Sequence, residues 1–394
     1  MEDYIEDKKK LYTSIIEFVE NEEDINNEIY FDKLKSLIKS QQIEGSHEEM
    51  EEFLCIIQVI CDNHHRNPNF IKRLQQILQQ YKEQIKQTLS NNEIFRIFIN
   101  NKLIVLFLLK AGIITITDSI FSVMMNKIDS NGNRYCHFFY PELENFAGEE
   151  KMEDVKKELL TKYPNIFDDY DNNRNEGEND SFICSLIRQD SIEQFISYIN
   201  RNQISPSSQI SKSIFETNSF LISQKSTSLI EYSAFFGSIQ IYRYLKMNDV
   251  KLTPSLWLYT IHSKNAELIH LLESDQVSPP RKKYGFDDDN EYGFTKCLIE
   301  SIKCHHNDIA VYIENNKIPQ NNLIGFDPIT LKLVYGFGYT VNRKVVSKSL
   351  QYRNYSYFND QTLFDFFHLC FYNYNKIVDF LIKKKEDEIK KKII

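Results

Sequence analysis

The feature that most limits how this chain can fold is a recurring apolar pattern. Two segments, SLIEYSAFFGSIQIYRYL from Ser228 and SLWLYTIHSKNAELIHLL from Ser255, begin 27 residues apart. In register, Ile230, Ser233 and Ala234 align with Trp257, Thr260 and Ile261, and Ile239, Ile241, Tyr242, Tyr244 and Leu245 align with Ala266, Leu268, Ile269, Leu271 and Leu272. Each segment reads as a short helix with a narrow apolar face, a tight turn and a second, more apolar helix. A pair this small cannot bury its own apolar face, so several must stack. The register makes Leu271 and Leu272 core residues. Further copies fit at Asn92, Ser181, Lys296 and Phe364, with starts 89, 47, 27, 41 and 68 residues apart along the chain. A unit of roughly 30–35 residues accounts for this spacing, with degenerate units in the long gaps around Ile120, Val123 and Met124 and around Ile329, Leu331 and Val334.

Composition agrees with helices. Only 11 glycines and 9 prolines occur in 394 residues, too few for a β-sandwich, a propeller or most phosphate-cradling α/β folds. Upstream of the pattern, apolar stripes at Leu11, Ile15, Phe18 and Val19, at Phe31, Leu34, Leu37 and Ile38, at Phe53, Ile56, Ile57 and Ile60, and at Ile71, Leu74, Ile77, Leu78 and Tyr81 predict four helices. The loop DNHHRNPNF separates the last two. The expected organisation is an all-α chain: an N-terminal helical region, or bundle, over 1–90, then a helix-hairpin solenoid over 91–394 with an acidic insertion or loop at about 141–180.

Charge is concentrated. Residues 141–180 hold 13 acidic and 5 basic side chains, which accounts for most of the net charge of −9. No basic surface for nucleic acid is indicated. The stretch DDYDNNRNEGEND at 168–180 reads as a solvated loop or linker, with docking of a basic partner as the alternative. The longest apolar run, Leu103–Leu109, is far short of the ~20 residues a membrane span requires, so no membrane insertion is expected. The opening MEDYIEDKKK lacks the pattern of a secretory signal. Seven irregularly spaced cysteines suggest reduced thiols and a cytoplasmic protein. The terminal KKKEDEIKKKII suits a helix C-terminus and also fits a nuclear signal, which makes the nucleus the alternative compartment.

The stretch SLIEYSAFFGS at 228–238 resembles the ankyrin consensus T-P-L-H-x-A-A-x-x-G-H, with Ser228 at the Thr, Ile230 at the Leu, Ser233 and Ala234 at the paired alanines and Gly237 at the turn glycine. LIVLFLLKAG at 103–112 is similar to the second-helix consensus. DNHHRNPNF and TPSLWLYTIHSKNAELIHLL further resemble a divergent ankyrin group abundant in certain protozoa and labelled only as a domain of unknown function. The resemblance covers about 90–394. It implies protein–protein binding and no chemistry. The Thr-Pro pair is missing from every copy, and the 27-residue interval leaves no room for the usual β-hairpin finger.

No catalytic constellation emerges. The phosphate-loop, dinucleotide, nucleophile-elbow and zincin motifs are absent, so no enzyme activity and no cofactor are expected. Cys61 with His64 and His65, Cys136 with His137, and Cys304 with His305 and His306 read as turn and core residues rather than metal ligands. Cys184 and Cys370 sit at apolar positions, where thiols are inert. In the hairpin register Tyr232, Phe235, Tyr259 and His262 point outward onto a concave face, with Glu300 and Lys303 at the equivalent places of the next copy. These six are the expected partner-binding residues of an adaptor or scaffold whose partner is another protein; the alternatives are that the aromatics pack between units, or that the acidic 141–180 segment docks a basic partner in a structural or sequestering role.

Overall fold

The structure, a computed structural model, describes residues 2–21, 27–65, 69–280, 293–318, 347–358 and 366–393. The candidate unit at Ile329, Leu331 and Val334, together with Phe364 and Pro68, lies outside them. Among the described residues there is no strand, only two isolated antiparallel bridges, Ile128–Arg134 and Gln209–Ser228. The chain is all-α. In order, its helices are α1 (Glu2–Glu20), α2 (Asn27–Ser40), α3 (His47–Asn63), α4 (Phe70–Gln80), α5 (Lys82–Thr88), α6 (Asn91–Phe98), α7 (Lys102–Lys110), α8 (Asp118–Asn126), α9 (Tyr135–Phe138), α10 (Tyr140–Ala147), α11 (Glu149–Lys162) and α12 (Tyr170–Glu176). They continue with α13 (Phe182–Arg188), α14 (Ile192–Arg201), α15 (Ser219–Ser223), α16 (Leu229–Phe236), α17 (Ile239–Met247), α18 (Leu256–Ser263), α19 (Ala266–Ser274), α20 (Gly293–Lys303) and α21 (Asn307–Asn316). Two more helices, Phe366–Phe371 and Asn375–Ile393, complete the described chain.

Two compact units are present. One is continuous, Gln42–Val277; the other is discontinuous, Met1–Gln41 with Ser278–Ile394. The division falls after Gln41 rather than at residue 90, with α1 and α2 in the discontinuous unit. In the discontinuous unit α1 packs with C-terminal elements. Tyr12 places its hydroxyl 3.0 Å from His305 Nδ1 and accepts a hydrogen bond from Asn307 Nδ2 at 3.3 Å. Asn354 Nδ2 donates to Ile302 O and to Asn307 Oδ1, fixing the α20–α21 turn from the other side. Helices α3–α5 belong to the continuous unit instead.

All six predicted hairpins are helix pairs: α6–α7, α13–α14, α16–α17, α18–α19, α20–α21 and the pair starting at Phe366. In the continuous unit the first helices pack in succession, α13 on α16 and α16 on α18, and second helix α14 packs on α17. Ile230, Ser233, Ala234, Trp257, Thr260 and Ile261 are all buried, as are Leu298, Ser301 and Ile302 in α20. The small residues let neighbouring backbones approach. Leu272 is fully buried, but Leu271 is only half-buried: it lies at the edge of the α19 apolar stripe, so only one of the two leucines faces the core.

The turns repeat as well as the helices. Asp190, Gly237, Lys264, His305 and Asn373 follow the first helix of a pair in left-handed conformation (φ 48–72°). Gly112, Gln203, Asp249 and Gln276 do the same after the second helix (φ 53–65°). Such a residue lets the last carbonyls of a helix be capped. Two of the turns also engage the adjacent pair. The Asp190 carboxylate accepts from the Gln240 and Ile241 backbone N–H groups at 3.0 Å, capping the start of α17, and Ser238 Oγ donates to Ile187 O at 2.5 Å. A Cβ on Gly237 would meet Asn265 Nδ2 at 3.4 Å in the next turn. Only one of these five intra-pair turns carries glycine, so the others hold backbone strain. Lys264→Gly is expected to raise folding stability by about 0.5–1 kcal/mol, and Gly237→Ala to lower it by at least as much. Chemical denaturation of the two variants checks this pair of opposite signs.

Candidate functional site

The structure places four of the six expected partner-binding residues in the interior. Tyr232, Phe235, Tyr259 and His262 are each 5% exposed or less. The reason is a segment of the chain itself. The long connection from α14 to α16 folds back and delivers α15 across the first helices. Phe220 of α15 lies 5.8 Å, ring centre to ring centre, from Phe235, 4.9 Å from Tyr259 and 4.1 Å from His262. Asn218 caps α15 through the Phe220 and Leu221 N–H groups, and Ser219 Oγ donates to Asp62 O at 3.0 Å. Tyr232 accepts a hydrogen bond from Arg188 Nη1 at 3.1 Å, and Tyr259 shares one with Thr227 Oγ1 at 3.2 Å. The open aromatic face expected from the register is thus covered: these positions form a polar-tipped aromatic core. Glu300 and Lys303 belong to the other unit, where they pair with each other at 2.9 Å and are half-buried.

The acidic region, in contrast, is ordered. Residues 140–176 form α10, α11 and α12 rather than a solvated linker. Alternation within DDYDNNRNEGEND explains the difference. Tyr170 and Arg174, one helical turn apart, point inward and are buried while Asp171 between them faces water. Arg174 donates to Phe138 O at 3.1 Å and Glu142 at 2.6 Å and pairs with Asp171, and the Tyr170 hydroxyl donates to His137 O. Gly177 ends α12 at φ 70°, and its carbonyl accepts from both Thr217 N and Thr217 Oγ1. Met152, Val155 and Leu159 anchor α11. The outer surface of this region combines two features. Glu149, Glu150, Asp154, Asp168 and Asp180 are exposed and have no ion-pair partner among the described residues. Phe146, Leu160 and Phe167 are 42%, 41% and 37% exposed. The region thus exposes both carboxylates and apolar side chains.

The cysteine and histidine groups take separate roles. Cys61 Sγ accepts from Asn101 Nδ2 at 3.3 Å, and His64 stacks on Phe70 at 5.3 Å. Burial, reinforced by neighbouring His64, pushes His65 down to about 4. His137 lies 3.2 Å from Glu158, and burial holds its titration below the ordinary histidine value. His305 occupies the left-handed turn, as expected of a turn residue. All seven cysteines are thiols, and burial pushes Cys184 up to about 12. Cys370 is exposed, not buried in the apolar stripe as its spacing suggests, because it lies on the outer side of a helix only six residues long.

The sequence reading missed the covering segment. Its signal was present in the polar run from Gln203 to Ser219, interrupted only by isolated apolar residues until Ile214-Phe215 and Phe220-Leu221-Ile222, which are buried. No helix among the described residues is long and apolar enough to cross a membrane. Compared with known proteins, the chain matches no family model, no curated protein and no solved structure.

Proposed function

We propose that the chain is a protein-binding scaffold, a divergent ankyrin-like solenoid without catalytic activity that acts in the cytoplasm. The observation carrying this reading is the repeated stacking of first helix on first helix, with a left-handed residue at the same place in successive turns. Stacked pairs of this kind build extended surfaces for macromolecular partners. Because the aromatic face is covered by Phe220, docking falls to the α10–α12 surface, and the partner is a basic protein with apolar anchors. Tyr232, Phe235, Tyr259 and His262 then serve the core, and Glu300 and Lys303 contribute an internal ion pair.

The test compares capture of partners from the native cell by the wild-type chain and by a Glu149→Lys, Glu150→Lys, Asp154→Lys variant. These side chains are exposed, so the fold is retained, which circular dichroism verifies. The expected result is that basic partners are lost from the variant, and that their binding to the wild type weakens as salt rises from low to physiological ionic strength. Unchanged capture by the charge-reversed chain rejects the acidic surface. Retention by the variant together with loss after Tyr232→Ala and Tyr259→Ala would restore the aromatic face.

A further inference from the structure

Helix α15 closes the aromatic face from a junction that can take up a proton. It is five residues long and is carried on irregular connections at both ends, 202–218 and 224–228. It packs on α3, where Ser219 Oγ donates to Asp62 O at 3.0 Å. It also packs on α18, where Phe220 lies 4.1 Å from the His262 ring between centres. The ends of these two helices are joined to each other as well: the ring of His65, two residues past α3, donates to the backbone carbonyl of His262. A short helix tied by a few contacts to a shared junction is the kind of element that opens locally while the stack beneath it stays folded.

The ionisable groups that act on His65 are basic. His64 precedes it and stacks on Phe70, His262 is its hydrogen-bond partner, and Lys264 occupies the left-handed turn after α18. Asp62, in the last turn of α3, accepts hydrogen bonds from Asn101 Nδ2 at 2.7 Å and from Gln58. Helix α15 itself, Ser219–Ser223, brings no ionisable side chain. A proton gained by His65 therefore sets a cation beside other bases in a half-buried place, and water admitted by opening relieves it. Burial and His64 hold the ring at about 4, against an ordinary 6.5. A ring that regains water returns toward the ordinary value. Between these two values the open form binds more protons than the closed one, so acid favours opening.

We propose that α15 is an acid-released cover: it closes over Phe235, Tyr259 and His262 at neutral pH, and protonation of His65 frees it and exposes this aromatic face while the helix pairs beneath stay folded. The inference is independent of the partner-binding reading, because none of these residues lies in α10–α12. The test is hydrogen exchange of the full chain at about pH 7.5 and about pH 5, corrected for the intrinsic pH dependence of exchange. The Phe220, Leu221 and Ile222 amides, all bonded to Asn218, are expected to lose protection about 30-fold at the lower pH. Protection in α16 and the emission of Trp257, the one tryptophan of the chain, buried in α18, should stay constant. His65→Gln keeps a neutral donor for the His262 carbonyl and should flatten the α15 response to within about threefold. A wild-type change below about threefold overturns the proposal. So does an equal loss in α16, which is global acid unfolding, or an undiminished response in His65→Gln. The wild-type measurement decides even where His65→Gln perturbs folding.

Discussion

Asp129→Ala is expected to destabilise the continuous unit by about 3–5 kcal/mol, because it strands a buried ammonium. The side chains of Lys102 and Asp129 are only 3% and 7% exposed and lie 3.0 Å apart. Asp129 also accepts from the Asn131 and Asn133 N–H groups at 2.9 Å, so the same carboxylate closes the 129–133 turn. Removing it leaves both the cation and the turn uncompensated. Burial already lowers the Lys102 titration from its ordinary 10.5, with Asp129 opposing that shift. In Asp129→Asn the opposition weakens and the folded-state value falls further. The unfolded chain then binds more protons than the folded one between that value and 10.5, so stability of the variant should rise with pH across this interval. Urea denaturation at several alkaline pH values reads both effects. The double variant Lys102→Met, Asp129→Asn should recover much of the loss, since it removes the stranded charge.

Phe220→Ala is expected to cost about 3–5 kcal/mol, the usual penalty for deleting a buried aromatic ring. Phe220 is 4% exposed and touches three of the four residues first expected to face a partner. Its removal should therefore have a second, local signature. Tyr259 and His262 lose their cover, so hydrogen exchange at α15 and in the segment leading into it should accelerate more than in α16 and α18, which keep their mutual packing. A stability change below about 1 kcal/mol would mean that α15 rests on the helix stack without being part of its core.

Helix pairing was legible because its cause is local. Ile230 with Ala234 and Leu268 with Leu272 reveal a helical face through spacing alone, and the capping box of Ser228 and Glu231 marks where α16 begins. Within the helix pairs the left-handed turns were legible only at Gly237; Lys264 and His305 adopt the same conformation with no glycine to mark it. The outward orientation of Tyr232 and Tyr259 failed for a nonlocal reason. A register specifies which residues face away from one stack, but not whether a distant segment such as α15 returns to cover them. The acidic stretch misled through its average charge, which concealed Tyr170 and Arg174 at the spacing of a helical turn.

The discontinuous unit has a consequence for biosynthesis. Its first portion ends at Gln41 and the rest begins at Ser278, with an entire compact body encoded between them. At translation rates of about 5–20 residues per second, α1 emerges from the ribosome tens of seconds before the α20–α21 turn that Tyr12 contacts. The intervening body can complete its own fold during that wait. The nascent amino-terminal helices, with Tyr12 still lacking its partners His305 and Asn307, are the natural point at which a chaperone would engage the growing chain.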